Sequence, residues 1–101
     1  KREKEGFGQM MVKVRAFALF REILGKERDM EIPEGSTVLS LLEAIGSISP
    51  AFKEQAFDHS GGLEDYVLLM INKKRIDPVN DLSIPLAEGD ELAIFPPVAG
   101  G

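Results

Sequence analysis

The order in which the hydrophobic patterns follow one another constrains this fold more than any other feature of the sequence. Residues 12–17 alternate apolar and charged side chains, as a strand buried on one face does. A helical pattern follows the turn at residues 33–35, an apolar run occupies residues 66–71, and residues 91–95 return to a strand-like pattern. This order predicts an α+β domain, in which one sheet carries helices on one face.

Two shorter segments complete the predicted sheet and its connections. Residues 19–24 place their apolar side chains on one helical face, and Gly25 is expected to end that turn. Residues 27–32 are typical of a second strand. The run at residues 66–71 is continuously apolar and has no charged side chain, so we interpret it as a central strand covered on both faces.

The main helix has clear boundary signals. Ser36 or Thr37 is expected to cap it, and its apolar residues recur at helical spacing as far as Ile45. Gly46 is predicted to end it in a left-handed conformation. A second short helix is expected to begin at residues 49–50, because proline favours the first helical position.

Composition excludes several classes of protein. The 101 residues contain no cysteine, which removes disulfides, zinc–thiolate sites and a cysteine nucleophile. The net charge of −5 argues against nonspecific nucleic-acid binding, and no apolar stretch approaches the length of a membrane helix. No signal peptide is recognisable, so we expect a soluble, cytoplasmic domain.

The chain divides into three predicted parts. Residues 1–10 are expected to form a flexible extension, either native or added upstream of a start codon at Met11. Residues 11–95 would form the folded domain, and residues 96–101 an extended C-terminal tail.

No internal active site is recognisable. His59 is the only histidine, and its polar, glycine-rich surroundings favour a solvated loop residue. The carboxylates are scattered, and none has metal-ligand spacing. The basic triplet at residues 73–75 could contact an anion, but we favour a solvated hairpin, because a basic triplet in a turn is usually exposed.

The tail carries the strongest functional signal. Pro96 and Pro97 disfavour continuation of the sheet and favour an extended backbone. The sequence then shrinks to Gly100 and Gly101, so that a narrow end could present the α-carboxylate of Gly101 to a partner's active site. The alternative is an ordinary frayed terminus.

The element order and the sequence FPPVAGG at residues 95–101 resemble the small subunits of molybdopterin synthase, the MoaD-like group of ubiquitin-like sulfur carriers. The resemblance covers residues 11–101 and also rests on Phe17 and the turn at residues 86–90. It implies a β-grasp fold, with a mixed sheet whose first and last strands lie parallel at its centre. Arg75 departs from the pattern, because an apolar residue facing the partner would suit the family there.

The resemblance also implies chemistry at Gly101. A ubiquitin-activating-like adenylyltransferase would use ATP to adenylate Gly101, which would then become a thiocarboxylate. The sulfur would pass to a pterin precursor in the large subunit of molybdopterin synthase, during synthesis of a molybdenum or tungsten cofactor. The chain would be a carrier subunit of a heterotetramer rather than an enzyme. It would bind neither cofactor nor metal itself.

Partner binding requires exposed apolar surface. By analogy with the family, Phe17 and Phe95 are expected on adjacent central strands, although both could instead belong to the core. The predicted partner-binding residues are Phe17, Phe95, Pro96, Pro97, Val98 and Ala99.

Three other functions remain open from the sequence. The chain could supply sulfur for thiazole or another sulfur-containing product. It could be a protein modifier that forms isopeptide bonds through Gly101, as archaeal ubiquitin-like proteins do. It could also be an interaction domain with an inert tail.

Overall fold

The computed structural model describes residues 8–64 and 66–96 and contains five strands and three helices in that part of the chain. The elements follow the predicted order. They are β1 (Gln9–Ala16), α1 (Leu19–Leu24), β2 (Glu27–Pro33), α2 (Val38–Ile48), α3 (Pro50–Ala56), β3 (Leu68–Ile71), β4 (Lys74–Ile76) and β5 (Glu91–Phe95). None of the described helices is long and apolar enough to span a membrane.

The strands form one mixed sheet in the order β2-β1-β5-β3-β4. β1 and β5 pair in parallel at its centre, and every other pairing is antiparallel. This arrangement confirms the β-grasp prediction, including the parallel pairing of the first and last strands. Asn72 and Lys73 turn the chain from β3 into β4 with φ of 49° and 73°. Two consecutive positive φ angles are typical of the tight turns that close hairpins.

One face of the sheet packs on the helices and forms the core. Alternate residues of β1 and β5 point into it, as the period of two requires. The apolar stripe of α2 covers them, and Thr37 caps that helix by accepting a hydrogen bond from the Ser40 backbone N–H at 3.2 Å. The core residues shared by strands and helix include Val12, Val14, Leu92, Ile94, Val38, Leu41, Leu42 and Ile45.

The prediction that Gly46 ends the main helix is wrong. Gly46 is buried inside α2, which continues to Ile48. The chain turns at Ser49 instead, where the side chain caps α3 by accepting from the Phe52 backbone N–H at 3.2 Å. Gly46 lies against α3, and a Cβ at this position would be 3.5 Å from the Cβ of Lys53.

The interpretation of residues 66–71 as a strand covered on both faces is also wrong. β3 begins at Leu68, and within this strand only Leu69 is fully buried in the core. Leu68 and Met70 point to the opposite face of the sheet and are partly exposed. The apolar run therefore supplies both core and surface.

The N-terminal boundary of the folded domain also differs from the prediction. β1 begins at Gln9, and Met10 is buried in the core, so these residues belong to the domain rather than to an extension over residues 1–10. Met10 pairs with Ile32 across the β1–β2 ladder. Residues 1–7 of the predicted extension lie outside the described residues, as do residues 97–101 of the predicted tail.

Candidate functional site

Phe17 and Phe95 form a stacked pair on the face of the sheet that the helices leave uncovered. Their ring centroids are 4.2 Å apart and their planes differ by 6°. Phe95 ends β5, and Phe17 directly follows β1, where its backbone N–H donates to the carbonyl of Ile94 at 3.2 Å. Because β1 and β5 are parallel, their C-terminal ends lie side by side and bring the two rings together.

The two rings lie in a wider apolar surface, which we call the apolar face and define as Phe17, Leu68, Met70, Phe95 and Pro96. These residues line a shallow groove of about 830 Å³. Its rim includes Leu19 and Tyr66, which are 43% and 46% exposed. The Tyr66 hydroxyl donates to the carbonyl of Gln55 at 3.1 Å, which fixes the ring at the rim.

A strained turn places Phe17 and Leu19 beside this groove. Ala18 has φ 54° and ψ −127°, a conformation that favours glycine at the second position of a type II′ turn. The turn is closed by a hydrogen bond from the Phe20 backbone N–H to the carbonyl of Phe17 at 3.1 Å. Strain of this kind persists only where the surrounding packing determines the backbone, and Phe20 is fully buried here.

The cations of β1 on this side of the sheet are neutralised within the chain. Lys13 Nζ lies 3.3 Å from carboxylate oxygens of both Glu27 and Asp29. Hydrogen bonds to Asp29 and Glu27 raise the pKa of Lys13. Arg15 forms an ion pair with Glu91 at 3.3 Å. The surface beside the two phenylalanines therefore has little uncompensated charge on the β1 side.

The structure brings three of the predicted site residues together, namely Phe17, Phe95 and Pro96. The other predicted site residues, Pro97, Val98, Ala99, Gly100 and Gly101, lie outside the described residues. Sequence reasoning missed Leu68 and Met70 as site residues. Their signal was present, since a strand with apolar residues on both faces needs a second surface to cover it.

A second groove lies between α2, α3 and the loop at residues 58–62 and has a volume of about 740 Å³. Asp58 organises this loop, accepting hydrogen bonds from Ser60 Oγ at 2.6 Å and from the Gly62 backbone N–H at 3.0 Å. Both bonds lower the pKa of Asp58. His59 is exposed on the same loop. Within the described part of the chain, no three His, Cys, Asp or Glu side chains are placed to hold a metal ion.

Comparison with known proteins decides the family. The model of the ThiS family matches residues 14–101. The chain belongs to the ThiS family. It is therefore a ubiquitin-like sulfur carrier by family, with the β-grasp fold that the sheet topology shows.

The similar curated proteins include both modifiers and carriers. Small archaeal modifier protein 1 of Haloferax volcanii is 35% identical over 86 residues, covering 84% of this chain and 94% of the relative. The molybdopterin synthase sulfur carrier subunit of Escherichia coli is 30% identical over 95 residues, covering 90% of this chain and all of the relative (100%). The chain is thus similar to proteins with two different described roles.

Solved structures agree with this assignment. The crystal structure of small archaeal modifier protein 1 from Haloferax volcanii superposes with a TM-score of 0.80 at 30% identity, covering 90% of this chain and 99% of that one. A complex of subunits 1 and 2 of the molybdopterin-converting factor from Helicobacter pylori matches with a TM-score of 0.57 at 28% identity, covering 91% and 100% of the two chains. Proteins of this fold are therefore found together with a partner subunit.

Proposed function

We propose that this chain is the sulfur carrier subunit of a molybdopterin synthase, and that the α-carboxylate of Gly101 carries the sulfur. The observation that supports this best is the position of the apolar face. Residues 97–101 lead from Pro96, at the edge of that face, to Gly101 and span at most about 18 Å when fully extended. A partner whose active site holds Gly101 therefore lies close to the apolar face.

Activation of the carboxylate is the first chemical step. An α-carboxyl group has a pKa of about 3.5, so it is ionised at neutral pH and resists nucleophilic attack. A ubiquitin-activating-like adenylyltransferase joins the Gly101 carboxylate to the α-phosphate of ATP and releases pyrophosphate. Hydrosulfide then attacks the acyl carbon and AMP leaves, so that one sulfur atom replaces one oxygen atom at Gly101.

Sulfur transfer is the second step. In the large subunit of the synthase, the thiocarboxylate sulfur attacks a carbon of the pterin precursor and displaces an oxygen substituent from that carbon, which leaves a thioester between Gly101 and the pterin. Water then hydrolyses this thioester, so that the sulfur stays on the pterin as a thiol. The carboxylate of Gly101 is thereby regenerated for another cycle. Phe17, Phe95 and Pro96 hold the partner, with Pro97, Val98, Ala99 and Gly100 passing through its channel. This chain supplies a docking surface and a carrier atom, and the partners supply the catalytic residues.

Protein modification is the second candidate function, favoured by the 35% identity to small archaeal modifier protein 1. The first step is the same adenylation of Gly101. The acyl group then passes to the amino group of a target lysine and forms an isopeptide bond, with loss of AMP. The two functions therefore differ in the nucleophile that meets the activated Gly101.

Intact-mass measurement separates them. The purified protein is incubated with MgATP, sulfide and the adenylyltransferase encoded in the same genome. We expect a mass increase equal to the difference between sulfur and oxygen, localised to Gly101 by fragmentation. A variant that lacks Gly101, and one with a single residue added after it, should fold normally but stay unmodified. Adenylation followed only by lysine conjugates would refute the carrier function in favour of the modifier.

A further inference from the structure

Arg75 extends the apolar face toward the edge of the sheet. It lies on β4 and pairs directly with Met70 of β3 in the antiparallel ladder. Residues that face each other in this way point to the same side of a sheet, with Cβ atoms about 5 Å apart. The exposed guanidinium of Arg75 therefore projects on the side of the sheet that carries Met70, Phe95 and Phe17.

Arg75 differs from the other cations on this side because no carboxylate neutralises it. Lys13 and Arg15 both form ion pairs within the chain, whereas Arg75 forms none with the residues described in 8–64 and 66–96. The nearest carboxylate along the chain, Asp77, is occupied by its own turn. It accepts hydrogen bonds from the backbone N–H of Val79 at 2.7 Å and from the Asn80 side chain at 2.9 Å.

The surroundings of Arg75 strengthen the positive charge at this edge. Lys73 and Lys74 are exposed in the adjoining turn and strand, and neither forms an ion pair with the described residues. The opposite edge, β2, carries Glu27, Asp29 and Glu31 on the same side of the sheet. A chain with a net charge of −5 thus has a basic edge directly beside its apolar face.

We propose that the adenylyltransferase that binds the apolar face presents a carboxylate to Arg75. This inference rests on the proposed function, and adenylation is the step that both candidate functions share. Residues 97–101 cannot carry Gly101 farther than about 18 Å from Pro96, so an enzyme that holds Gly101 lies beside the apolar face. A guanidinium offers two parallel donors that match a carboxylate, so the pair fixes orientation as well as adding affinity.

The consequence is selectivity for the partner. Apolar contacts at Phe17, Phe95 and Met70 exclude water but set orientation weakly, because they have no fixed direction. An unpaired Arg75 held against an apolar or basic partner surface would lose hydration without compensation. Arg75 therefore favours an acidic rim on the correct enzyme and disfavours enzymes that lack one.

Charge substitution tests the inference in the complete protein with the adenylyltransferase encoded in the same genome. Arg75→Ala and Arg75→Glu are compared with Arg28→Glu, which makes the same charge change at an exposed site on the opposite edge. Arg28 pairs with Val14, so its side chain points to the helix side of the sheet and away from the apolar face. The KM for each variant is measured in ATP–pyrophosphate exchange at low and high salt.

We expect Arg75→Glu to raise KM about tenfold or more, equivalent to about 1.4 kcal/mol, with a smaller rise for Arg75→Ala. Arg28→Glu should stay within about twofold. High salt should reduce the difference in KM between Arg75→Glu and the wild-type protein. Replacing the opposing carboxylate of the enzyme with lysine should restore exchange with Arg75→Glu. Matching urea midpoints for all variants would show that folding is intact.

The other outcomes separate the two proposals. If the wild-type protein is not adenylated at all, the proposed function fails. If it is adenylated and Arg75→Glu behaves like Arg28→Glu, the proposed function stands and the role of Arg75 is refuted. A loss of affinity seen only for the large synthase subunit, or only in self-association measured by sedimentation, would also refute the assignment to the adenylyltransferase.

Discussion

Replacing Phe95 with alanine removes one ring of the stacked pair while leaving the core-facing residues of β5 unchanged. Full burial of a phenylalanine side chain stabilises a protein by about 1.5–3 kcal/mol. Phe95 is only partly buried, and its site opens to solvent, so its removal leaves no closed cavity. We therefore expect Phe95→Ala to lower the free energy of unfolding by about 1–2 kcal/mol. Phe17→Ala should have an effect of similar size.

The matched control is Phe52→Ala. Phe52 is 0% exposed and contacts Phe20 at a ring distance of 5.3 Å, so its removal should cost about 3–5 kcal/mol. Urea unfolding followed by far-UV circular dichroism suits a chain without tryptophan. A double-mutant cycle between Phe17 and Phe95 should give a coupling energy of about 0.5–1.5 kcal/mol, as expected for stacked rings.

Two results would refute the reasoning about the pair. If Phe95→Ala costs as much as Phe52→Ala, then Phe95 is a core residue in solution and its exposure has no functional meaning. If Phe95→Ala destabilises the protein but leaves its affinity for the large synthase subunit unchanged, the apolar face is not the docking surface. The proposed face requires the opposite pattern, with a modest loss of stability and a large loss of affinity.

Two further predictions concern the helices and the loop beside them. Gly46→Ala should stabilise the protein by about 0.5–1 kcal/mol in urea unfolding, because the nearest atom to a new Cβ is 3.5 Å away at Lys53 and alanine favours the helical backbone. Destabilisation would contradict this prediction and would show that the new methyl group does not fit between Gly46 and α3. Hydrogen bonds from Ser60 and Gly62 lower the pKa of Asp58 in the folded state, so they stabilise the protein above the unfolded pKa of about 3.9, and this contribution is lost as pH falls through the lower folded value. The free energy of unfolding, measured from about pH 6 to about pH 2, should therefore fall less steeply for Asp58→Asn than for the wild-type protein. Equal slopes would contradict the stabilising role of the Asp58 carboxylate.

Local signals predicted the elements well because local physics determines them. Thr37 caps α2 through a side-chain oxygen, and Ser49 caps α3 in the same way. Gly25 ends α1 with φ 92°, as its lack of a Cβ suggests. Gly46 shows where this reasoning fails. The same residue type can end a helix or admit a close neighbour, and only the packing of α3 distinguishes the two cases.

The candidate site was predictable only in part. Phe17, Phe95 and Pro96 were predicted through the family resemblance, because strand order at the centre of the sheet is not readable from residue patterns. Leu68 and Met70 were missed since an apolar run does not reveal whether a second layer covers it. The free charge of Arg75 was equally hidden, because its significance depends on the ion pairs that other cations form.

The parallel pairing of β1 and β5 is what makes the site possible. The C-terminal ends of parallel neighbours lie side by side, so Phe17, just after β1, and Phe95, at the end of β5, come within stacking distance. β3 runs antiparallel to β5, so it begins beside the C-terminal end of β5 and places Leu68 opposite Phe95. If β1 ran in the opposite direction, Phe17 would lie about one strand length, roughly 17 Å, from Phe95. The helices cover only one face of the sheet. The other face therefore keeps the apolar face exposed at the point where the chain leaves β5 through Pro96.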